Sequence, residues 1–139
     1  MATRTAALRA QKGTAANGAQ AAATTLRAGL PVQEFDTVQN RLGVTSGQLA
    51  DALSIAARTL ARRKQEGRLR KDESERLYRL RKLFDRAVEV FESDDAAREW
   101  FRSPQPALGG STPLAFADVE PGAREVEHLL GRIEQGVFS

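Results

Sequence analysis

The 139-residue sequence predicts an all-α fold, a helix-turn-helix bundle followed by a small helical domain. Apolar residues recur at helical spacing in several separate stretches, and capping residues or glycines bound each stretch. Between them, Ser46 to Gly67 reads as two short helices around a tight corner, with arginines on the second.

Residues 1–29 hold eleven alanines, no acid and four basic residues, Arg4, Arg9, Lys12 and Arg27. Their apolar side chains are too small to bury much surface. The segment therefore reads as a disordered arm with at most a transient helix around Ala21 to Ala28. It lacks the uninterrupted apolar core of a secretory signal. A spacer and a basic arm brushing phosphates are both open readings.

Leu30 and Pro31 open a folded region spanning 30–92. Val32, Phe35, Val38 and Leu42 form a scaffold helix that Gly43 stops. Thr45 or Ser46 can cap the next helix, whose apolar face is Leu49, Ala50, Leu53 and Ile55. Ala50, Ser54 and Leu60 fall at helix-turn-helix spacing. Glycine is commonest at that corner, so Ser54 has to adopt the corner conformation with a Cβ attached.

Stepping 100° per residue from an inward Leu60 puts Arg58 and Arg62 on the opposite side, with Thr59 and Arg63 beside them. A recognition helix presents its donors to base edges from such a face, and arginine can bind guanine bidentately. A merely solvated arginine face is the alternative. Gly67 ends this element, and Asp72 with Glu75 has capping-box spacing for the next. Leu77, Leu80, Phe84, Ala87, Val88 and Phe91 give that helix a core stripe ending near Ser93. Its Arg76, Arg79, Arg81 and Lys82 either reach a DNA backbone or form a solvated face. Arg58 to Lys82 contains eleven basic and four acidic residues, which suits salt-dependent phosphate contacts.

The character changes over 93–139. Ser93 or Asp94 can cap a short helix carrying Ala97, Trp100 and Phe101, which Pro104 and Pro106 prevent from continuing. A loop of small residues follows, pinned by Leu108, Leu114 and Phe116. Pro121 suits the first turn of a last helix with the face Val126, Leu129, Leu130 and Ile133, ended by Gly136. The apolar pair Val137 and Phe138 would be well placed in a partner's pocket.

Charge divides the chain. Residues 1–82 carry 16 of the 21 basic and 7 of the 18 acidic residues, a balance of +9, while 83–139 carry a balance of −6. One half suits a polyanion and the other a different partner. The sequence has no cysteine and a single histidine, His128. That excludes disulfides, a thiolate nucleophile and a zinc-ligand cluster. No Ser/His/Asp set exists, and the pair Gly109-Gly110 lacks the context of a phosphate loop. The expectation is a non-enzymatic, cofactor-free and metal-free cytoplasmic protein. No run approaches the ~18 apolar residues of a membrane span.

Trp100, Pro104, the run from Leu108 to Leu114, Gly122, Val126, Leu130, Ile133 and Gly136-Val137 resemble the toxin-binding domain of Xre/MbcA/ParS-type antitoxins. Arg58-Thr59-Leu60, Arg62-Arg63, Gly67-Arg68-Leu69 and Glu73 to Leu77 resemble the helix-turn-helix half of the same proteins. One departure is Val119, which has no capping oxygen and leaves Asp118 or Glu120 to cap the last helix.

The resemblance implies an antitoxin of a type II pair whose toxin carries a RES domain, consuming NAD or transferring ADP-ribose from it. It implies toxin contacts at Trp100, Leu108, Gly109, Gly110, Pro113, Leu114, Ile133, Gly136, Val137, Phe138 and Ser139. It also implies operator DNA contacts at Arg58, Thr59, Arg62 and Arg63. A RES active site that takes NAD phosphates should be basic, and the acidic half would complement it. Because one recognition helix covers few base pairs, a homodimer is expected as well, through Leu83 to Phe101 or the last helix. The alternative is a stand-alone regulator whose C-terminal domain binds a ligand or partner.

Overall fold

The computed structural model describes residues 18–136. Among them the chain forms eight α-helices, one 3-10 turn and no β-strand. Residues 18–28 form helix α1, so the alanine-rich stretch is more ordered at this end than its composition suggests. Leu26 explains part of this, because it packs against the core.

The chain then passes Gly29 at φ +90°, where a Cβ would stand 2.1 Å from the Leu69 carbonyl oxygen. That close approach lets residues 29–32 zip against 67–69. Leu69 N–H donates to Leu30 O at 2.9 Å, Val32 N–H to Gly67 O at 3.1 Å, and the Arg68 guanidinium to Gly29 O at 2.7 Å.

Helix α2 (Gln33–Leu42) ends at Gly43 with φ +67°. Thr45 caps α3 (Ser46–Ala52) in a full capping box, its hydroxyl accepting from Gln48 N–H while the Gln48 side chain accepts from Thr45 N–H. Ser54 turns the corner at φ +55°, the left-handed conformation that glycine takes without strain. Helix α4 (Ala57–Glu66) follows, and Gly67 ends it at φ +83°.

The longest element is α5 (Lys71–Phe91), whose 21 residues extend roughly 30 Å. It begins earlier than the Asp72–Glu75 spacing suggested. Glu73 closes its first turn instead, accepting from Arg70 N–H at 2.8 Å. Ser93 caps α6 (Asp94–Phe101) by accepting from Ala96 N–H, a 3-10 turn covers Pro106–Leu108, and Thr112 caps α7 (Pro113–Phe116). The last helix is α8 (Glu120–Glu134).

A single core runs through both halves. Phe35, Val38, Leu42, Leu49 and Leu53 from the first half join Phe84, Phe101, Val126 and Leu130 from the second. Helix α5 is the shared wall: Phe84 meets Phe101 edge to face at 5.8 Å between ring centres.

Candidate functional site

On α4 the side chains divide by their angle from Leu60, which is buried. Arg58 and Arg62 stand exposed on the far side, one turn apart, and neither forms an ion pair or side-chain hydrogen bond among the described residues. Thr59 is half-buried beside them.

Arg63 does not belong with this group. Three residues past Leu60 is 300°, only 60° from the inward direction, and Arg63 is 8% exposed. Its Nε donates to Glu73 Oε1 at 2.8 Å, and its Nη1 lies 3.6 Å from Glu66. The hydrogen bond to Glu73 holds the guanidinium above its ordinary pKa despite the opposing cost of burial. Because Glu73 also closes the first turn of α5, this one carboxylate locks α4 to α5.

A second arginine braces the corner. Arg76 on α5 donates from Nε to the Leu53 carbonyl at 2.7 Å, at the end of α3 and next to strained Ser54. Arg81 reaches Glu34 on α2 at 3.3 Å. Both are therefore engaged in holding the bundle. Lys64, Arg68, Arg70, Lys71 and Lys82 remain exposed around the motif.

In the C-terminal half, three residues expected at a toxin interface point inward instead. Leu108 is 5% exposed, Leu114 is 9% exposed, and Pro113 is fully buried. They pin the glycine loop and α7 onto the core, which is why small turn formers around them still give a fixed conformation. Gly109 and Gly110 are exposed at φ +67° and +87°, and they shape the loop. Trp100 is half-buried, with its ring 5.5 Å from Phe91 and 5.8 Å from Phe101. Ile133 is half-buried, and Gly136 is exposed just beyond α8. Val137, Phe138 and Ser139 lie outside the described residues.

This half carries the one large hydrophobic residue exposed among the described residues. Val119 is 56% exposed at the start of α8, and neither its own side chain nor Asp118 or Glu120 caps the helix. Its only signal in the sequence is the missing capping oxygen. Exposed His128 lies on the same helix, with Glu125 3.9 Å away. No group of three His, Asp or Glu side chains among the described residues is placed to hold a metal ion.

Comparison with known proteins covers both halves. Residues 21–82 match the model of the antitoxin Xre-like helix-turn-helix domain, and residues 86–136 match the antitoxin Xre/MbcA/ParS C-terminal toxin-binding domain. An antitoxin Xre of Photorhabdus laumondii is 38% identical over 116 residues, covering 82% of this chain and 78% of that protein. An antitoxin Xre of Yersinia enterocolitica is 34% identical over 140 residues, covering 99% and 95%. The chain belongs to the Xre/MbcA/ParS antitoxin family.

The antitoxin shares its fold with a chain of the Mycobacterium tuberculosis MbcT–MbcA toxin–antitoxin complex. That match has a TM-score of 0.58 and 24% identity, and it covers 78% of this chain and 96% of the other. The two family regions meet within α5 and are bolted together. Arg98 and Arg102 of α6 donate to the carbonyls of Arg41 and Gly43 at 3.3 and 3.1 Å, capping the end of α2, and Arg41 pairs with Asp85. No helix of the antitoxin among the described residues is long and apolar enough to cross a membrane.

Proposed function

We propose that this antitoxin binds and inhibits a cognate RES-domain toxin, an NAD-consuming or ADP-ribosylating enzyme, by covering its active site. It also binds operator DNA and represses its own operon. It has no catalytic role of its own. The observation that carries this reading is the division of labour along the chain. Residues 21–82 match a helix-turn-helix domain and leave Arg58 and Arg62 uncommitted, while residues 86–136 match a toxin-binding domain and bear most of the acidic residues.

Arg58 and Arg62 would read base edges from α4, with Thr59 beside them and the surrounding lysines and arginines on phosphates. Two copies would place two such helices on half-sites about one turn apart. The acidic half would meet the basic, phosphate-accepting site of the toxin by electrostatic complementarity. In that complex Trp100, Gly109, Gly110, Ile133, Gly136, Val137, Phe138 and Ser139 would contact the toxin. Arg63, Leu108, Pro113 and Leu114 act from inside the fold.

The test is co-expression with the product of the adjacent reading frame. A stable complex that restores growth to cells carrying that product is the expected result. A chain that binds operator DNA but captures no toxin would make the protein a stand-alone regulator instead.

A further inference from the structure

Val119 sits in a setting that is locally unfavourable in two separate ways. It occupies the position before α8 with φ −124° and ψ +159°, the extended geometry in which Ser, Thr, Asp or Asn accepts a hydrogen bond from the first turn. Pro121 has no N–H to offer, so the Gly122 N–H is the donor such a side chain would satisfy. Valine leaves it without a side-chain cap. The same side chain is the one large hydrophobic residue exposed among the described residues.

Its surroundings form a surface of definite chemistry. Ala115, Phe116, Val119 and Pro121 line an open groove of about 510 Å³ between α7 and α8. Gly122 forms part of its wall, packed so closely under α7 that a Cβ there would lie 1.8 Å from the Phe116 carbonyl oxygen. Asp118 and Glu125, both exposed, stand at its edge, and no basic residue lines it. The water-exposed methyl groups of Val119 on an apolar groove with an acidic edge are accounted for when a partner covers them.

We propose that this α7–α8 groove is a docking surface for the toxin, taking a segment that presents an apolar side chain beside an arginine or lysine. The proposal rests on the toxin-binding reading above. A second copy of this chain fits less well. Pairing the groove with itself would bring the two acidic edges together, and the described residues offer no other exposed large hydrophobic side chain to fill it.

The experiment uses the full chain and the purified product of the adjacent reading frame, with Val119→Thr as the decisive variant. Threonine is nearly isosteric and supplies the missing cap, so the melting temperature should rise by roughly 3–6 °C with operator binding unchanged. Toxin affinity should fall about 10-fold, because an apolar contact becomes polar. Asp118→Asn with Glu125→Gln should weaken binding further and flatten its salt dependence. A stabilised Val119→Thr chain whose toxin affinity stays within about twofold of the parent overturns the proposal. So does a loss of self-association in that variant with toxin affinity intact, which would hand the groove to a second copy. Failure of the unaltered chain to bind the toxin at all overturns the toxin-binding reading itself, and the docking surface falls with it.

Discussion

Around α3, α4 and α5, side-chain hydrogen bonds tie the elements of the basic half of the molecule to one another. Thr45 and Gln48 cap each other across α3, Glu73 ties the start of α5 to Arg63, and Arg76 holds the Leu53 carbonyl at the corner. The acidic half leaves an end open: α8 starts at Val119 without a side-chain cap, beside an apolar groove. The contrast teaches where each half has freedom. Helix α4 also starts without a side-chain cap, at Ala56, but Arg63 ties it to α5 through Glu73, whereas the start of α8 has no such tie and carries exposed Val119 beside the groove.

The largest loss should come from cutting into what the halves share. Phe101→Ala removes a fully buried ring that packs on Phe84, and it should cost about 3–5 kcal/mol. Because one core spans both halves, denaturant unfolding followed by probes in each half should shift together. Two separated transitions would show two independent units.

A comparable but more local effect is expected at the Arg63–Glu73 pair. Glu73→Ala removes the hydrogen-bonded partner of a buried guanidinium and leaves it Glu66 at 3.6 Å, so it should destabilise by up to about 3 kcal/mol, whereas Arg63→Met with Glu73→Leu should recover much of that loss. Urea melts of the parent, of both variants and of Arg63→Met alone check this. An Arg63→Met chain that retained full stability would return Arg63 to the exposed face.

Ser54→Gly probes the corner itself. Removing the Cβ at φ +55° should stabilise the fold by about 0.5–1 kcal/mol after the added entropy of glycine is counted, read as a small rise in melting temperature. The smallest effect belongs to Arg86 and Glu134, which join α5 to the end of α8 at 2.6 Å. The hydrogen bond from Arg86 holds the Glu134 carboxylate below its ordinary pKa. Its contribution is therefore present above the unfolded value and lost as pH falls through the lower folded one. Arg86→Met should make stability slightly less sensitive to acid below about pH 4.5, as followed by thermal melts across that range.

What was legible in the sequence was local. Gly43 and Gly67 stop helices, Thr45 and Ser93 cap them, and Ser54 takes the strained corner, because each depends on neighbours within a few residues. The inward or outward sense of side chains was legible only where the angle was decisive. Arg58 and Arg62 lie opposite Leu60 and project outward; the same angle turns Arg63 inward, and what the sequence hid was its partner Glu73 ten residues away. Leu108 and Pro113 were expected as contacts only from the family resemblance; the loop's own residues already had Leu108 pinning it down, and both side chains are buried. Residues 18–28 became a helix for a similar reason, since composition does not disclose that Leu26 reaches the core.

On the proposed reading the two halves carry separable binding surfaces on one shared core. Its most direct test is the pair Arg58→Ala and Arg62→Ala in the full chain, assayed in parallel for operator binding and for protection against the adjacent gene's product. Loss of about 1–3 kcal/mol of operator affinity per base contact, with melting temperature and protection unchanged, is the predicted result. Operator binding that survives both substitutions, or protection lost along with it, would rule out two separable surfaces.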